Sequence, residues 1–293
     1  MRFIFGLLSR IPLDILYAVL SRPLFDWGYH IFRWRRRLAA ENIARSFPEL
    51  SPEAQAAILK QSYRNLCDLV AEVIWSYGAS PAQLRERVAV ENPEVVRERI
   101  RTGGSVLLMT AHFCNWEWQV LAGNTELDEP MFPVYKPQRV GAIDRFLVEA
   151  RSRFGGKPIP HTELTRELLR RRSEAHVYAL VADQTPVHNE LKYWTTFLNQ
   201  DSAFFVGADA IARILKATVV FVTMRRIRRG FYAMRGTVID EPPYQRGADT
   251  QVIEHYVRAL EAEIRASPAD WLWIHRKWKY PRSERAAAPS SPL

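Results

Sequence analysis

The chain has 293 residues, of which 47% are hydrophobic and 13 are glycine. That length and composition exclude a fibrous or disordered chain and allow one large core or two modest ones. Two cysteines, Cys67 and Cys114, are too few and too far apart for a disulfide framework or a zinc site, and they point to a reducing compartment rather than export. The 41 Lys and Arg residues outnumber 32 Asp and Glu, leaving +9. This charge suits an anionic partner: nucleic acid, lipid headgroup, phosphate or acidic protein.

Residues 1–50 carry eight arginines against four acids, and Arg33, Arg35, Arg36 and Arg37 surround Trp34. An apolar, aromatic-rich stretch at residues 3–25 precedes them. No small-residue cleavage site follows it, so it does not read as a signal peptide. It is long enough to span a bilayer but contains Arg10, Pro12, Asp14 and Arg22, and each mid-membrane charge costs about 3 kcal/mol. An interfacial amphipathic anchor is therefore favoured over a spanning helix, and an ordinary core helix with a solvated basic flank is the rival. The expected organisation is a membrane-associating segment at 1–50, a catalytic domain at 51–280 and a disordered tail at 281–293.

Ser51-Pro52-Glu53 combines a capping serine, a first-turn proline and an acid, and predicts a helix running to about Tyr77, where Gly78 stops it. Asn92-Pro93-Glu94 starts another helix, ended by Gly103-Gly104. From there short apolar runs at 105–111, 131–135, 177–182 and 218–223 read as strands buried on both faces. Helical segments are expected at 115–124, 142–154, 164–172 and 203–215. This alternation predicts an α/β fold, a mainly parallel central sheet flanked by helices behind the N-terminal segment. Residues 232–238 are expected to add an edge strand and 248–264 a further helix.

The sequence lacks the glycine-rich dinucleotide and phosphate loops, the nucleophile elbow and the zincin helix, so those chemistries recede. The decisive segment is His112-Phe113-Cys114-Asn115-Trp116-Glu117. It sets a histidine at the carboxyl end of a buried strand, where ligand sites of open α/β sheets lie. Asn115 is a natural N-cap, which puts Glu117 in the first helical turn, where the macrodipole favours its charge. The turn is expected to fold Glu117 back onto the imidazole, giving an oriented general base for a hydroxyl. The spacing alone is weak, and a histidine merely tied into a strand-to-helix turn is the alternative. Cys114 beside His112 raises a thiol-nucleophile reading, which the histidine–carboxylate pair makes unnecessary.

This segment resembles the H-x4-[DE] box of the glycerolipid acyltransferases, and in particular the bacterial lipid A late (lauroyl/myristoyl) acyltransferases. Further matches follow in order. Val134-Tyr135-Lys136-Pro137 resembles the family's V-Y-R-P, with lysine where arginine is usual. Asp144 with Arg151, Arg153, Phe154 and Gly155 resembles its next helix end. Ala182-Asp183-Gln184 resembles the A-D-Q turn, and residues 271–279 resemble the W-x-W-x-H-[RK]-[RK]-W-K box. The resemblance runs nearly the whole chain, although the amino-terminal helix is shorter and less apolar than the family's.

The resemblance implies His112 as general base, Glu117 as its partner and Arg151 as stabiliser of the thioester-derived oxyanion, with Arg153 the alternate. Two positions apart on a helix, only one of the two arginines can readily face His112. Lys136, Arg153, Asp183 and Gln184 are candidates for substrate binding; a surface lysine and a plain capped turn are the simpler readings of Lys136 and of Asp183-Gln184. No cofactor or metal is expected. The implied co-substrate is an acyl thioester of acyl carrier protein or coenzyme A, and Arg170 to Arg172 and Arg225 to Arg229 would suit the acidic carrier. The expected partners are that carrier, a membrane lipid acceptor such as a lipid A precursor and an anionic membrane surface, at the cytoplasmic face of the bacterial inner membrane. Another lysolipid or glycolipid acceptor is an alternative. A basic nucleic-acid-binding protein is the alternative of a different class, disfavoured because the arginine cluster adjoins an apolar stretch.

Overall fold

The computed structural model describes residues 2–172, 174–186, 192–245, 247 and 250–280. The tail expected to be disordered lies outside them. The chain opens with short helices α1 (Arg2–Leu8), α2 (Leu13–Leu16) and α3 (Arg22–Phe25), with π-helical turns at Tyr17–Ser21 and Asp26–Ile31. The wide turns have a sequence cause. Tyr17, Ser21, Phe25 and Tyr29 are all buried and recur every fourth residue, whereas an α-helix overshoots by about 40° at each such step. Local π-helical winding keeps these side chains on one line. The opposite face leaves Ile15, Val19, Trp27 and Ile31 exposed, and Phe32 and Trp34 extend the apolar surface beyond it. Among the described residues no helix is long and apolar enough to cross a membrane.

Helix α4 (Arg36–Ser46) leads to the long α5 (Pro52–Ser76), capped by the Ser51 hydroxyl accepting from the Ala54 N–H, and then to α6 (Pro81–Arg85). After these come β1 (Val88–Val90), α7 (Glu94–Arg101), β2 (Val106–Thr110), α8 (Trp116–Glu126), β3 (Met131–Tyr135), α9 (Gly141–Arg151), β4 (Ile159–Pro160), α10 (Leu164–Arg171) and β5 (Val177–Val181). A hairpin, β6 (Lys192–Phe197) and β7 (Gln200–Phe205), precedes α11 (Gly207–Leu215), β8 (Thr218–Arg228), β9 (Phe231–Asp240) and α12 (Gln251–Ala266).

The main sheet has the order β1-β9-β8-β2-β5-β3-β4, parallel throughout except between β8 and β9. The α/β architecture and the helix flanks match the expectation. Strand β9, expected at the edge, is interior, because the three-residue β1 pairs along its outer side. The helix expected at 203–215 starts only at Gly207. Residues 200–205 pair antiparallel with 192–197 around Leu198 and Asn199, both left-handed (φ 50° and 62°), the conformation of a two-residue hairpin turn. The tryptophan-rich residues 271–279 have helical spacing yet form irregular turns, because they are stitched to the His112 loop.

A single buried cluster joins Leu13, Leu16 and Tyr17 to the sheet and to Trp271 and Trp273. The N-terminal segment is thus built into the sheet's own core. Replacing Leu16 by Ala should therefore cost about 2–5 kcal/mol, whereas Val19→Ser, on the exposed face, should stay within about 0.5 kcal/mol. Equilibrium denaturant unfolding of both variants measures the difference, and equal effects would refute the assignment of faces.

Candidate active site

The site begins with the register of two parallel strands. Thr110 of β2 lies beside Val181 of β5, and the Ala182 N–H donates to the Thr110 carbonyl at 3.1 Å. Two residues beyond each, His112 and Asp183 are brought side by side, and His112 Nδ1 is 2.7 Å from Asp183 Oδ1. The turn after His112 is held from the other direction. The Leu272 N–H donates to the His112 carbonyl at 3.1 Å, the Cys114 N–H donates to Asp270 at 2.9 Å, and Phe113 bridges Trp271. Cys114 takes a left-handed φ of 52°. Asn115 then caps α8, its side-chain oxygen accepting from the Trp118 N–H at 2.9 Å.

Asp183 is buried, and its second oxygen accepts from the Trp271 indole at 2.9 Å. Burial alone would raise its pKa. The His112 ring, the Trp271 N–H and the Lys277 charge overcome that and hold the carboxyl at about 2. Lys277 is buried as well; its ammonium donates to the Ala203 carbonyl at 2.9 Å and lies over the Phe204 ring, and burial lowers its pKa to about 7 against the pull of Asp183. Burial likewise lowers His275 to about 4.

Several expected roles change on this geometry. Glu117 stands in the first turn of α8 but pairs with Arg151 rather than His112: Arg151 Nε and Nη2 donate to its two oxygens at 2.8 and 2.6 Å. Asp183, expected to meet the acceptor, is instead the buried partner of His112, with both oxygens occupied. Arg153, the alternate for Arg151, turns away. Its guanidinium donates to the Tyr77 and Ala79 carbonyls just beyond α5, acceptors that a helix end leaves open to a cation. Gln184 is at the site, its amide Nε2 3.2 Å from His112 Nε2. Lys136 is exposed and lines the cavity onto which His112 opens. Cys114 is buried and does not line the cavity, and burial pushes its thiol well above the usual range.

The basic patches expected to meet an acidic carrier are largely committed within the chain. Arg170 and Arg171 pair with Glu167, Arg225 with Glu91, Arg226 with Asp270, and Arg229 with Asp68.

His112 opens onto a cavity of about 640 Å³. Its lining carries His112, Glu117, Arg151, Lys136 and Gln184, with further polar side chains such as Asn92, Gln119 and Glu126, and is otherwise mainly aliphatic, including Leu108, Val120, Met131, Val220 and Met234. Gly123 belongs to this lining, and a Cβ there would come within 2.3 Å of the Met131 methyl. A cleft lined mainly by apolar side chains, with polar groups beside the imidazole, fits an amphiphile whose reacting group lies there.

Comparison with known proteins then decides the family. Residues 6–280 match the model of the bacterial lipid A biosynthesis acyltransferases. The chain belongs to that family. It is an O-acyltransferase. It is similar to a lipid A biosynthesis palmitoleoyltransferase of Escherichia coli K12, 22% identical over 249 residues, covering 84% of this chain and 79% of the relative. A lipid A biosynthesis acyltransferase of Shigella flexneri matches with the same figures. Among solved structures, the 1-acyl-sn-glycerophosphate acyltransferase of Thermotoga maritima aligns with 91% of this chain and 100% of its own at a TM-score of 0.39 and 13% identity.

Two structural residues of this acyltransferase, Trp271 and Lys277, were visible in sequence only as motif letters. The signal for the His112–Asp183 pairing was available, since two parallel neighbours with one residue between strand end and polar side chain present those side chains together. The depressed Asp183 pKa has a consequence for stability. A carboxyl held below its ordinary 3.8 stabilises the fold fully above that pH and loses its contribution as pH falls through about 2. Wild type should therefore lose about 2 kcal/mol more than Asp183→Asn between pH 4 and 2. Urea unfolding at stepped pH measures this, and parallel curves would contradict it.

Proposed function

We propose that the chain transfers a fatty-acyl group from a thioester, carried by acyl carrier protein, to a hydroxyl of a lipid A precursor, with His112 as general base and Asp183 as the group that orients it. One observation carries this reading: the ring has a buried carboxylate on Nδ1 and presents Nε2 to a large apolar-walled cavity. With Nδ1–H donating to Asp183, Nε2 holds the lone pair, and the Gln184 amide donates to it. An acceptor hydroxyl displaces that amide and donates in its place.

The hydroxyl proton passes to Nε2 as its oxygen attacks the thioester carbonyl, whose π electrons move onto oxygen. Collapse of the tetrahedral intermediate expels the thiolate, and the imidazolium returns the proton to sulfur, leaving an ester and a free thiol. Asp183 stabilises the imidazolium in between. Arg151 supplies positive charge for the oxyanion. Its bidentate pair with Glu117, both side chains mostly buried, fixes where that charge points. The role of Glu117 is thus exerted on Arg151.

His112→Ala should lower kcat by about 10²–10⁴, and Asp183→Asn by a similar factor because the tautomer is no longer fixed. Arg151→Ala should lower kcat by about 10²–10³ with little change in KM, while Arg153→Ala should lower only the melting temperature. Steady-state assays with acyl carrier protein thioester and a lipid A precursor check all four. Near-normal turnover in folded His112→Ala would sink the mechanism.

The exposed Val19, Trp27 and Phe32, with Arg33 and Arg37 beside them, support seating on the cytoplasmic leaflet of the inner membrane. Replacing the three apolar residues by Ser should release the protein from vesicles containing anionic lipid without lowering its melting temperature, while high salt alone should release wild type only in part. Sedimentation with vesicles measures both. Complete release of wild type by salt would instead make the association purely electrostatic.

A further inference from the structure

Behind the His112 turn, away from the cavity, lies a second buried carboxylate. Glu72 of α5 is completely buried, and its side chain collects donors from three parts of the fold. The Tyr17 hydroxyl, from the N-terminal segment, donates to Oε1 at 2.6 Å. The Tyr232 hydroxyl of β9 lies 3.0 and 2.8 Å from the two oxygens. Asn115 Nδ2 donates to Oε2 at 2.6 Å, and Arg226 Nη1 stands 3.9 Å away. Burial pushes the Glu72 carboxyl up, and Arg226 with the three donors opposes that.

Asn115 thereby has two partners. Its oxygen caps α8 through the Trp118 N–H, and its amide is tied to Glu72. The Trp118 indole also donates to the Glu72 carbonyl at 3.2 Å. The residue before Asn115 is the left-handed Cys114, and the chain on either side carries His112 and, in the first turn of α8, Glu117. Without an external tie, nothing in the cap itself fixes where α8 starts relative to α5.

We infer that Glu72 is a positioning residue for the acyl transfer: through Asn115 it holds the turn bearing His112 and Glu117 in register, and through Tyr17 it makes the N-terminal segment part of that support. The inference rests on the reading of His112 as base. A displacement of reacting groups by about 1 Å can cost 10²-fold in rate, so loosening this tie should act on kcat in a protein that is still folded.

The test is a polarity swap in the full-length protein, with kcat and KM measured at a temperature well below the melting temperature of every variant. Glu72→Gln replaces one of the two accepting oxygens by an NH2, so it cannot accept from both Tyr17 and Asn115, and it should lower kcat about 10-fold or more with little change in KM. Asn115→Asp keeps the cap but sets carboxylate against carboxylate, and it should do the same. The double variant restores a donor–acceptor pair with the direction reversed, so kcat should recover to within a few fold of wild type. Tyr17→Phe should reduce kcat less than Glu72→Gln. Single variants that melt lower but keep wild-type kcat would overturn the inference, as would a double variant no better than the worse single one. If Tyr17→Phe alone leaves kcat unchanged, the N-terminal part of the inference fails. His112→Ala is run beside them: an active His112→Ala removes the underlying reading, whereas an inactive one with normal Glu72→Gln removes only this inference.

Discussion

An ionised carboxylate shut away from water is costly unless every oxygen is met, and Asp183 is the place where this chain meets that condition beside His112. Its two oxygens take the His112 ring and the Trp271 indole, and the Lys277 charge stands behind them. Remove one of these and the rest carries an uncompensated buried charge, which costs several kcal/mol. Asp183 therefore fixes His112, and it also fixes the carboxyl-terminal residues 271–279, which have no regular secondary structure to hold them. Their tryptophans act as spacers and donors. Trp271 lies edge-on to Trp273, Trp278 and Phe197, while the Trp278 indole donates to Ser202 and Lys277 to the neighbouring Ala203.

The two buried carboxylates divide the labour at the same turn. Asp183 acts on the ring of His112 from the strand side, and Glu72 acts on Asn115 from the helix side. Between them the backbone of residues 112–114 is pinned by Leu272 and Asp270. A left-handed non-glycine residue such as Cys114 is maintained only where its surroundings over-determine it, and that is the situation here. Glu117 takes no part in holding the His112 ring and pairs with Arg151 instead.

What the sequence made legible follows from where local rules suffice. The Ser51 cap, the Asn115 cap and the apolar strands were readable because each depends on a few adjacent residues. The partner of His112 was not, because proximity in sequence favoured Glu117 five places on, while the actual contact crosses 71 positions through strand register. Arg153 was misplaced for a similar reason. Its neighbours describe a helix end, yet the acceptors that capture it are at Tyr77 and Ala79. The hairpin of β6 and β7 was hidden by Ala203, a good helix former that the antiparallel ladder overrides. Likewise β1 is too short to show a period, and its absence from the sequence reading made β9 look like an edge.

The N-terminal segment shows how one stretch can satisfy two demands. Its buried line of Tyr17, Ser21, Phe25 and Tyr29 packs with the core of the sheet, with Ser21 donating to Asp68 and Tyr17 to Glu72. Its outer line of Ile15, Val19, Trp27 and Ile31 is exposed. A helix that is apolar on both lines would be a spanning element if it were long and uncharged, and Arg10, Asp14 and Arg22 prevent that. The same π-helical turns that keep Tyr17 and Ser21 on α5 also keep Val19 and Trp27 turned outward. Geometry at the carboxylate and geometry at the exposed apolar surface are therefore set by one winding, and neither face can rotate without moving the other.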